Sequence, residues 1–176
     1  YYPVELSDCI RTIVKTGRSC AIVGLPCVLR AVRLAVDSDK RLRRSVRCLV
    51  GLTCGQTKST LYTEYLARRA GLVNSPSRVV FREKVAGQSA MNFGFVAKDS
   101  VTGEKARLMW NEGVSKVWCS GWFTPKVCHF CDDIFAECAD VTLMDAWLPE
   151  FIEDGAGTNL IVVRDPDVMT KLSRGM

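Results

Sequence analysis

The stretch Cys20-Ala21-Ile22-Val23-Gly24-Leu25-Pro26-Cys27 decides the fold, together with its later counterpart Arg47-Cys48-Leu49-Val50-Gly51-Leu52-Thr53-Cys54-Gly55. Each is a short apolar run that breaks at a glycine and reaches a cysteine three residues on. Apolar runs of this length, without alternation, read as strands covered on both faces. Helical spacing follows each. After the first come Val28, Leu29, Val32, Leu34 (less well placed), Ala35 and Val36; after the second, between Ser59 and Ala70, come Leu61, Tyr62, Tyr65 and Leu66, with Gly71 as the stop. Two strand–loop–helix units in succession predict neighbouring parallel strands in one sheet.

Working outward, Glu5 to Lys15 predicts a helix with Leu6, Cys9, Ile10, Ile13 and Val14 on one face and Gly17 as its terminator. Lys40 to Val46 reads as a short basic helix. From Arg78 the character changes. Arg78–Phe81, Asn92–Ala97 and Ala106–Trp110 read as strands, the last two as a hairpin around Asp99-Ser100-Val101-Thr102-Gly103. Glu112 to Gly121 is ambiguous. Ala139–Met144 and Leu160–Val163 are further strands, and Asp165-Pro166 turns into a last helix over Asp167–Leu172. The expectation is an α/β fold: a mixed sheet, parallel in its first half, flanked by helices, with a cysteine-rich loop over the C-terminal rim of the strands. Residues 1–176 are expected to form a single domain.

The 176 residues suffice for a substantial core. With 48% hydrophobic and 24% charged residues, the composition is that of a globular rather than a disordered chain. No apolar run approaches the roughly 18 residues of a membrane span. The opening Tyr1-Tyr2-Pro3-Val4-Glu5 lacks the basic-then-apolar order of a secretory signal. It does not start with Met, so the chain is expected to be a piece of a longer one. Nine cysteines, an odd number with no visible export signal, speak against a disulfide framework and for a reducing cytoplasm. Cys20 and Cys48 lie in apolar runs and read as small buried hydrophobes. The net charge of +5 is modest, and its cations concentrate in Lys40-Arg41-Leu42-Arg43-Arg44-Ser45-Val46-Arg47. That stretch is either a solvated helix face or a docking patch for an acidic partner such as a ferredoxin, or for a phosphate-bearing ligand. No aromatic residues interleave with it, which argues against nucleic acid.

The chemistry lies in four cysteines. Cys27 and Cys54 end strands; Cys128 and Cys131 form the CxxC of Pro125-Lys126-Val127-Cys128-His129-Phe130-Cys131-Asp132-Asp133. Ligands of parallel sheets bind at the C-terminal rim of the strands, where both strand-end cysteines should lie. Cys27 and Cys54 are each expected to follow directly from a strand and open a helix, whose N-terminus favours the thiolate, and Pro26 fixes the turn before Cys27. Four thiols on three loops suit a 4Fe–4S cluster or a structural zinc. Structural zinc usually draws on two paired knuckles and only one pair is present, which favours iron–sulfur; zinc and unmetallated thiols remain as alternatives. Cys119, in Trp118-Cys119-Ser120-Gly121-Trp122, is an alternative ligand. His129, the only histidine, sits inside the CxxC, either tuning a cluster or exposed on a loop. With one histidine a multi-His metal site is excluded. GxSxG, the P-loop, HExxH and a strand-borne GxGxxG are all absent.

Taken in order, Gly24-Leu25-Pro26-Cys27, Gly51-Leu52-Thr53-Cys54-Gly55, Phe81-Arg82-Glu83-Lys84, the CxxC stretch, Ala139-Asp140-Val141 and Asp145-Ala146-Trp147 resemble the coenzyme F-420 hydrogenase/dehydrogenase beta-subunit family, in its C-terminal domain. The resemblance runs from about Ala21 to Arg164. It implies an oxidoreductase carrying FAD and a 4Fe–4S cluster, passing electrons between a ferredoxin or partner subunit and a two-electron acceptor. It implies Cys27, Cys54, Cys128 and Cys131 as cluster ligands. An FAD diphosphate needs cations and N–H donors, and three places offer them. These are Lys58 and Ser59 at a helix start, Arg82 and Lys84 on a strand, and Thr158 and Asn159 after Gly155-Ala156-Gly157. Asp140 and Asp145 are candidates for orienting N–H groups near the cofactors. No proton donor is assigned, because a flavin carries its own hydride chemistry. The competing reading is a zinc-binding or cofactor-free interaction or assembly domain, with a role in polysaccharide biosynthesis as one form of it.

Overall fold

The computed structural model describes residues 6–175. The predicted start of the first helix at Glu5, and the opening stretch read for an export signal, lie outside the described residues. In chain order the elements are α1 (Ser7–Thr16), β1 (Cys20–Gly24), α2 (Pro26–Ser38), α3 (Lys40–Ser45), β2 (Val46–Leu52), α4 (Thr60–Arg69), β3 (Pro76–Glu83), β4 (Gly94–Asp99), β5 (Lys105–Met109), α5 (Val114–Cys119), β6 (Val141–Asp145), α6 (Pro149–Ile152), β7 (Asn159–Val163) and α7 (Pro166–Ser173). The ambiguous stretch 112–121 becomes α5, entered through a tight turn at Trp110–Glu112. No described helix is long and apolar enough to cross a membrane.

The described residues divide into two compact units. One holds residues 56–126 and 145–158; the other holds 6–55, 127–144 and 159–175. The latter is built on a four-stranded sheet in the order β1-β2-β6-β7. β1 and β2 run parallel, Ala21 opposite Cys48 and Gly24 opposite Gly51, and β6 continues the parallel order with Val50 opposite Val141. β7 returns in the opposite direction: the Ala146 N–H donates to Thr158 O at 2.9 Å and the Arg164 N–H to Asp140 O at 2.8 Å. The expected mixed sheet, parallel in its first half, is therefore what forms. Parallel neighbours need a long crossover, and α2 with α3 supplies it. Gly17 ends α1 at φ +63°, a left-handed position that glycine adopts without strain, with its N–H on Ile13 O. Leu29, Val32 and Val36 of α2, Leu42 of α3, Leu49 of β2, and Ala136 and Ala139 of the loop before β6 make the core. Each buried leucine contributes on the order of 2 kcal/mol.

Asp140 fastens this unit. Its carboxylate accepts the Leu49 N–H at 2.7 Å and the Arg33 Nη2 at 2.5 Å, and Arg33 Nε reaches Cys138 O at 3.0 Å. Cys20 and Cys48 prove half-buried rather than fully enclosed. Desolvation, then the nearby Asp140 charge, push the Cys48 thiol up, so it stays protonated. On the basic helix, Asp39 caps α3 through the Arg41 N–H at 2.7 Å, and the Arg41 guanidinium holds its carboxyl at about 2.

The other unit has its own antiparallel sheet in the order β3-β4-β5, with the predicted β4–β5 hairpin in place. Tyr62, Leu66 and Ala67 of α4 pack on Phe95, Ala97 and Leu108 of the sheet and on Val114 and Val117 of α5. Aromatic rings of Phe81, Trp118 and Phe123 surround Tyr62 at 6.0 to 6.3 Å between centroids. Lys58 lies inside this cluster, 3% exposed. Its ammonium donates to Trp122 O at 2.9 Å, Thr124 Oγ1 at 3.0 Å, Gln56 Oε1 at 3.1 Å and Trp118 O at 3.2 Å, and sits 4.9 Å from the Trp118 ring. Buried Asp99 organises the hairpin end. It accepts the N–H groups of Val101 (2.8 Å), Thr102 (3.0 Å) and Asn74 (3.0 Å).

Two outcomes follow from these buried charges. Lys58→Met removes the donor that four acceptors share, and should lower stability by about 2 kcal/mol or more in urea titrations; an unchanged midpoint would contradict the assignment. Backbone N–H donors, Thr102 first, pull Asp99 from 3.8 down to about 2. A carboxyl depressed on folding stabilises above its unfolded value, so this contribution is full above about pH 4 and lost as pH falls towards 2. Urea midpoints measured from pH 5 to 2 should lose part of their slope in Asp99→Asn; an identical slope would refute the role.

Candidate functional site

The strand register places the first two cysteines. Gly24 and Gly51 are paired across β1 and β2, and Cys27 and Cys54 each lie three residues beyond, on the same rim. Cys27 stands in the first turn of α2, behind Pro26 at its first position. Cys54 differs from expectation. It opens no helix: α4 begins six residues later, at Thr60, because the intervening segment runs irregularly to bury Lys58. The helix-terminus argument therefore applies at Cys27 alone.

The CxxC loop closes on that rim. Arg30, one turn after Cys27 on α2, pairs with Asp132 at 3.2 Å. The Cys54 N–H donates to Ile134 O at 3.0 Å and the Thr53 N–H to Leu143 O at 3.1 Å. A side chain at Gly51 would overlap the Cβ of Ala136, so this glycine is what lets the end of the loop lie on β2. Cys128 sits in a short tight turn over Lys126–Phe130, and Cys131 Sγ lies 3.5 Å from Asp133 O. His129 and Phe130 are exposed at the tip, Phe130 at 87%. Cys27 also borders a shallow groove between α1 and α2, lined by Leu6, Ile10, Val28 and Ala31. All nine cysteines are thiols rather than disulfides.

The donor set has the chemistry a cluster needs, four thiols borne by three segments, two of them directly beyond the paired strand ends. Among the described residues, however, no three His, Cys, Asp or Glu side chains stand close enough to hold a metal. Ligation would need the thiols to turn towards one another. Cys27 and Cys131 are exposed and have room to rotate. Cys119 lies in the other unit, at the end of α5.

Of the three expected phosphate places, two come together. Lys84 Nζ lies 3.4 Å from where a Cβ of Gly157 would stand. The Ala90 N–H donates to Ile152 O at 2.8 Å, and Gly155 has backbone against it at Gln88 O, with no room for a side chain. Lys84 is thereby brought to the turn that precedes Thr158. The turn is less open to an anion than its sequence suggests. Asp154 takes the Ala156 N–H on its carboxylate at 3.0 Å and the Gly157 N–H on its carbonyl at 2.9 Å. An Asp two residues before the N–H it binds is an Asx-turn signal that the sequence carries in Asp154-Gly155-Ala156. Arg82 is held by Asp145 at 2.9 Å and stacks 4.7 Å from the Phe93 ring and 5.4 Å from Trp147. Neither ring has a role that the sequence points to, although Trp147 stands in the motif Asp145-Ala146-Trp147. Thr158 O accepts the Ala146 N–H, and Asn159 opens β7, exposed. The third place is different. Lys58 points its ammonium into its own unit's interior, where carbonyls surround it, and Ser59 precedes α4 with its side chain making no capping bond.

Asp140 and Asp145 are both engaged. The first bonds the Leu49 N–H and Arg33, the second bonds Arg82.

A family model for the C terminus of the coenzyme F420 hydrogenase/dehydrogenase beta subunit matches residues 17–174. Among solved structures, a chain of the F420-reducing NiFe hydrogenase complex from Methanosarcina barkeri superposes with a TM-score of 0.58 at 16% sequence identity. The superposition covers 97% of this chain and 54% of that one, so this chain spans about half the length of the protein it resembles. At that identity the likeness concerns the fold. Comparison with curated proteins gives no match. With its expected motifs in order and the family match spanning nearly its whole length, the chain belongs to the coenzyme F420 hydrogenase/dehydrogenase beta-subunit family, in its C-terminal region.

Proposed function

We propose that this chain is the redox domain of an oxidoreductase subunit. A 4Fe–4S cluster and FAD would relay electrons between a ferredoxin or partner subunit and a two-electron acceptor. The observation that carries the reading is the rim: paired Gly24 and Gly51, a cysteine three residues beyond each, and a CxxC loop bonded to the same edge through Cys54 and Arg30. Family membership supports the oxidoreductase class. The solved relative belongs to a hydrogenase complex, which supports a life among other subunits. Nine reduced thiols suit a cytoplasmic setting.

Cys27, Cys54, Cys128 and Cys131 would hold the cluster. Lys84 would neutralise the FAD diphosphate, with Thr158 and Asn159 beside it. Arg82, fixed by Asp145 and two rings, offers a second cation in a set position. Lys58 and Ser59 would support this region from inside the unit rather than touch the phosphates. The cluster would supply one-electron steps and the flavin the conversion to a two-electron transfer. The protein's own work is to bind, orient and exclude. An electron-exchanging partner would approach the exposed tip of the CxxC loop. The basic helix α3 feeds the other end of β2, about 20 Å from Cys54 along seven strand residues.

The deciding experiment is iron and acid-labile sulfide per chain on anaerobically purified protein, with its visible spectrum. About four of each would support the cluster. Zinc without iron would turn the reading to an assembly domain. Cys128→Ser should abolish the visible absorption while Cys9→Ser leaves it; an unchanged Cys128→Ser spectrum would sink the ligand assignment. Lys84→Gln should weaken FAD binding by roughly tenfold in a fluorescence titration, the loss of one charge-assisted contact. Equal affinity would move the diphosphate elsewhere.

A further inference from the structure

We infer that Thr142 and Arg164 are positioning residues that lock the CxxC loop onto β2. The geometry stands by itself; the consequence for a metal rests on the cluster reading above.

Arg164 follows β7 and reaches back across β6. Its main-chain N–H holds Asp140 O at 2.8 Å. Its guanidinium donates from Nη1 to Thr142 Oγ1 at 2.9 Å and from Nη2 to Phe135 O at 3.2 Å. Thr142, fully buried, donates its hydroxyl proton to the same Phe135 O at 2.8 Å. Two donors, one on β6 and one just beyond β7, thus converge on one carbonyl of the loop. A hydroxyl can accept and donate at once, which lets Thr142 bridge the arginine and the carbonyl.

What this carbonyl controls is close at hand. The next residue, Ala136, is fully buried at φ +50°, a left-handed conformation that an alanine holds only under constraint from its surroundings. Ala136 lies on the bare backbone of Gly51. The residue before, Ile134, accepts the Cys54 N–H through its carbonyl. Asp133 accepts the Glu137 N–H at 3.2 Å, so the chain runs from Cys131 straight into the fastened turn. The bridge therefore sets the height of Cys128 and Cys131 relative to Cys54. The other tie, Arg30 to Asp132, is between side chains 59% and 79% exposed, and such surface pairs hold little. The fully buried Thr142 hydroxyl, backed by Arg164, fixes the loop rather than the surface ion pair.

The test uses the full chain, metal-free, followed by amide hydrogen exchange. Thr142→Val keeps the shape and removes the hydroxyl. Exchange at Cys54 and Glu137 should speed by roughly tenfold, the loss of about one hydrogen bond, while Leu49 stays protected. Thr142→Ser should restore the native rate. Arg164→Gln, at an exposed position where folding is less at risk, should act in the same direction as Thr142→Val. Cobalt(II) alone then reports on the thiols through its thiolate charge-transfer absorption. Thr142→Val should weaken or shift that absorption and Thr142→Ser should restore it. Unchanged exchange at Cys54 in both Thr142→Val and Arg164→Gln overturns the inference. So does faster exchange with the cobalt spectrum and affinity unaltered, which would make the bridge structural only. The cluster reading is decided separately by iron and sulfide content; if the unsubstituted protein shows no thiolate absorption, the exchange rates alone uphold or overturn the bridge.

Discussion

The close approach of the 134–136 turn to the backbone of Gly51 is the constraint on which the parallel-sheet unit depends. β2 is interior to the sheet, with β1 on one side and β6 on the other. A strand so placed has both edges paired, with Leu49 buried in the core, and its last residues must admit whatever crosses the rim. At Gly51 there is no side chain, so Ala136 takes the space that one would fill, with Thr142 and Ala139 beside it. The consequences run outward from that point. Phe135 O comes within reach of Thr142 and Arg164, Ile134 O within reach of the Cys54 N–H, and the CxxC is carried over the strand ends.

Charge withdrawn wholly or partly from solvent plays the same structural part in each unit, in different forms. Asp140 joins β2 to α2 through Leu49 and Arg33. Asp99 gathers three main-chain N–H groups at a turn, and Lys58 gathers carbonyls inside an aromatic core. In each case a single ionised group satisfies several polar groups that would otherwise be buried unpaired, and an unpaired buried polar group is costly. No buried side-chain nitrogen or oxygen among the described residues is left without a partner. Charges that look functional in sequence can thus be structural. Lys58 does this plainly, and Arg82, stacked against two rings and held by Asp145, does it in part.

Much of the fold was legible because its signals are local. The apolar runs ending at Gly24 and Gly51 announced parallel strands, Gly17 announced the end of α1, and Asp99 to Gly103 announced the hairpin. The cysteines were legible for the same reason, since their spacing from those strand ends is a property of the chain itself. The separate antiparallel sheet of β3, β4 and β5 was not, because alternation predicts a strand but not its neighbour. Nor was the burial of Lys58 between Cys54 and that helix, since its carbonyl partners Trp118 and Trp122 lie some sixty residues away along the chain.

The sequence by itself determined the order of elements, the placement of a cysteine three residues beyond each paired glycine, and the family. Those depend on periodicity and on residues near one another along the chain. Only the tertiary structure decided which charges serve the interior and which face outward. It alone brought Lys84 to Gly157, set Arg82 against Trp147, and carried Arg164 across β6 onto Phe135. The partners in these contacts lie far apart along the chain, and no local pattern encodes a meeting that strand pairing and packing create.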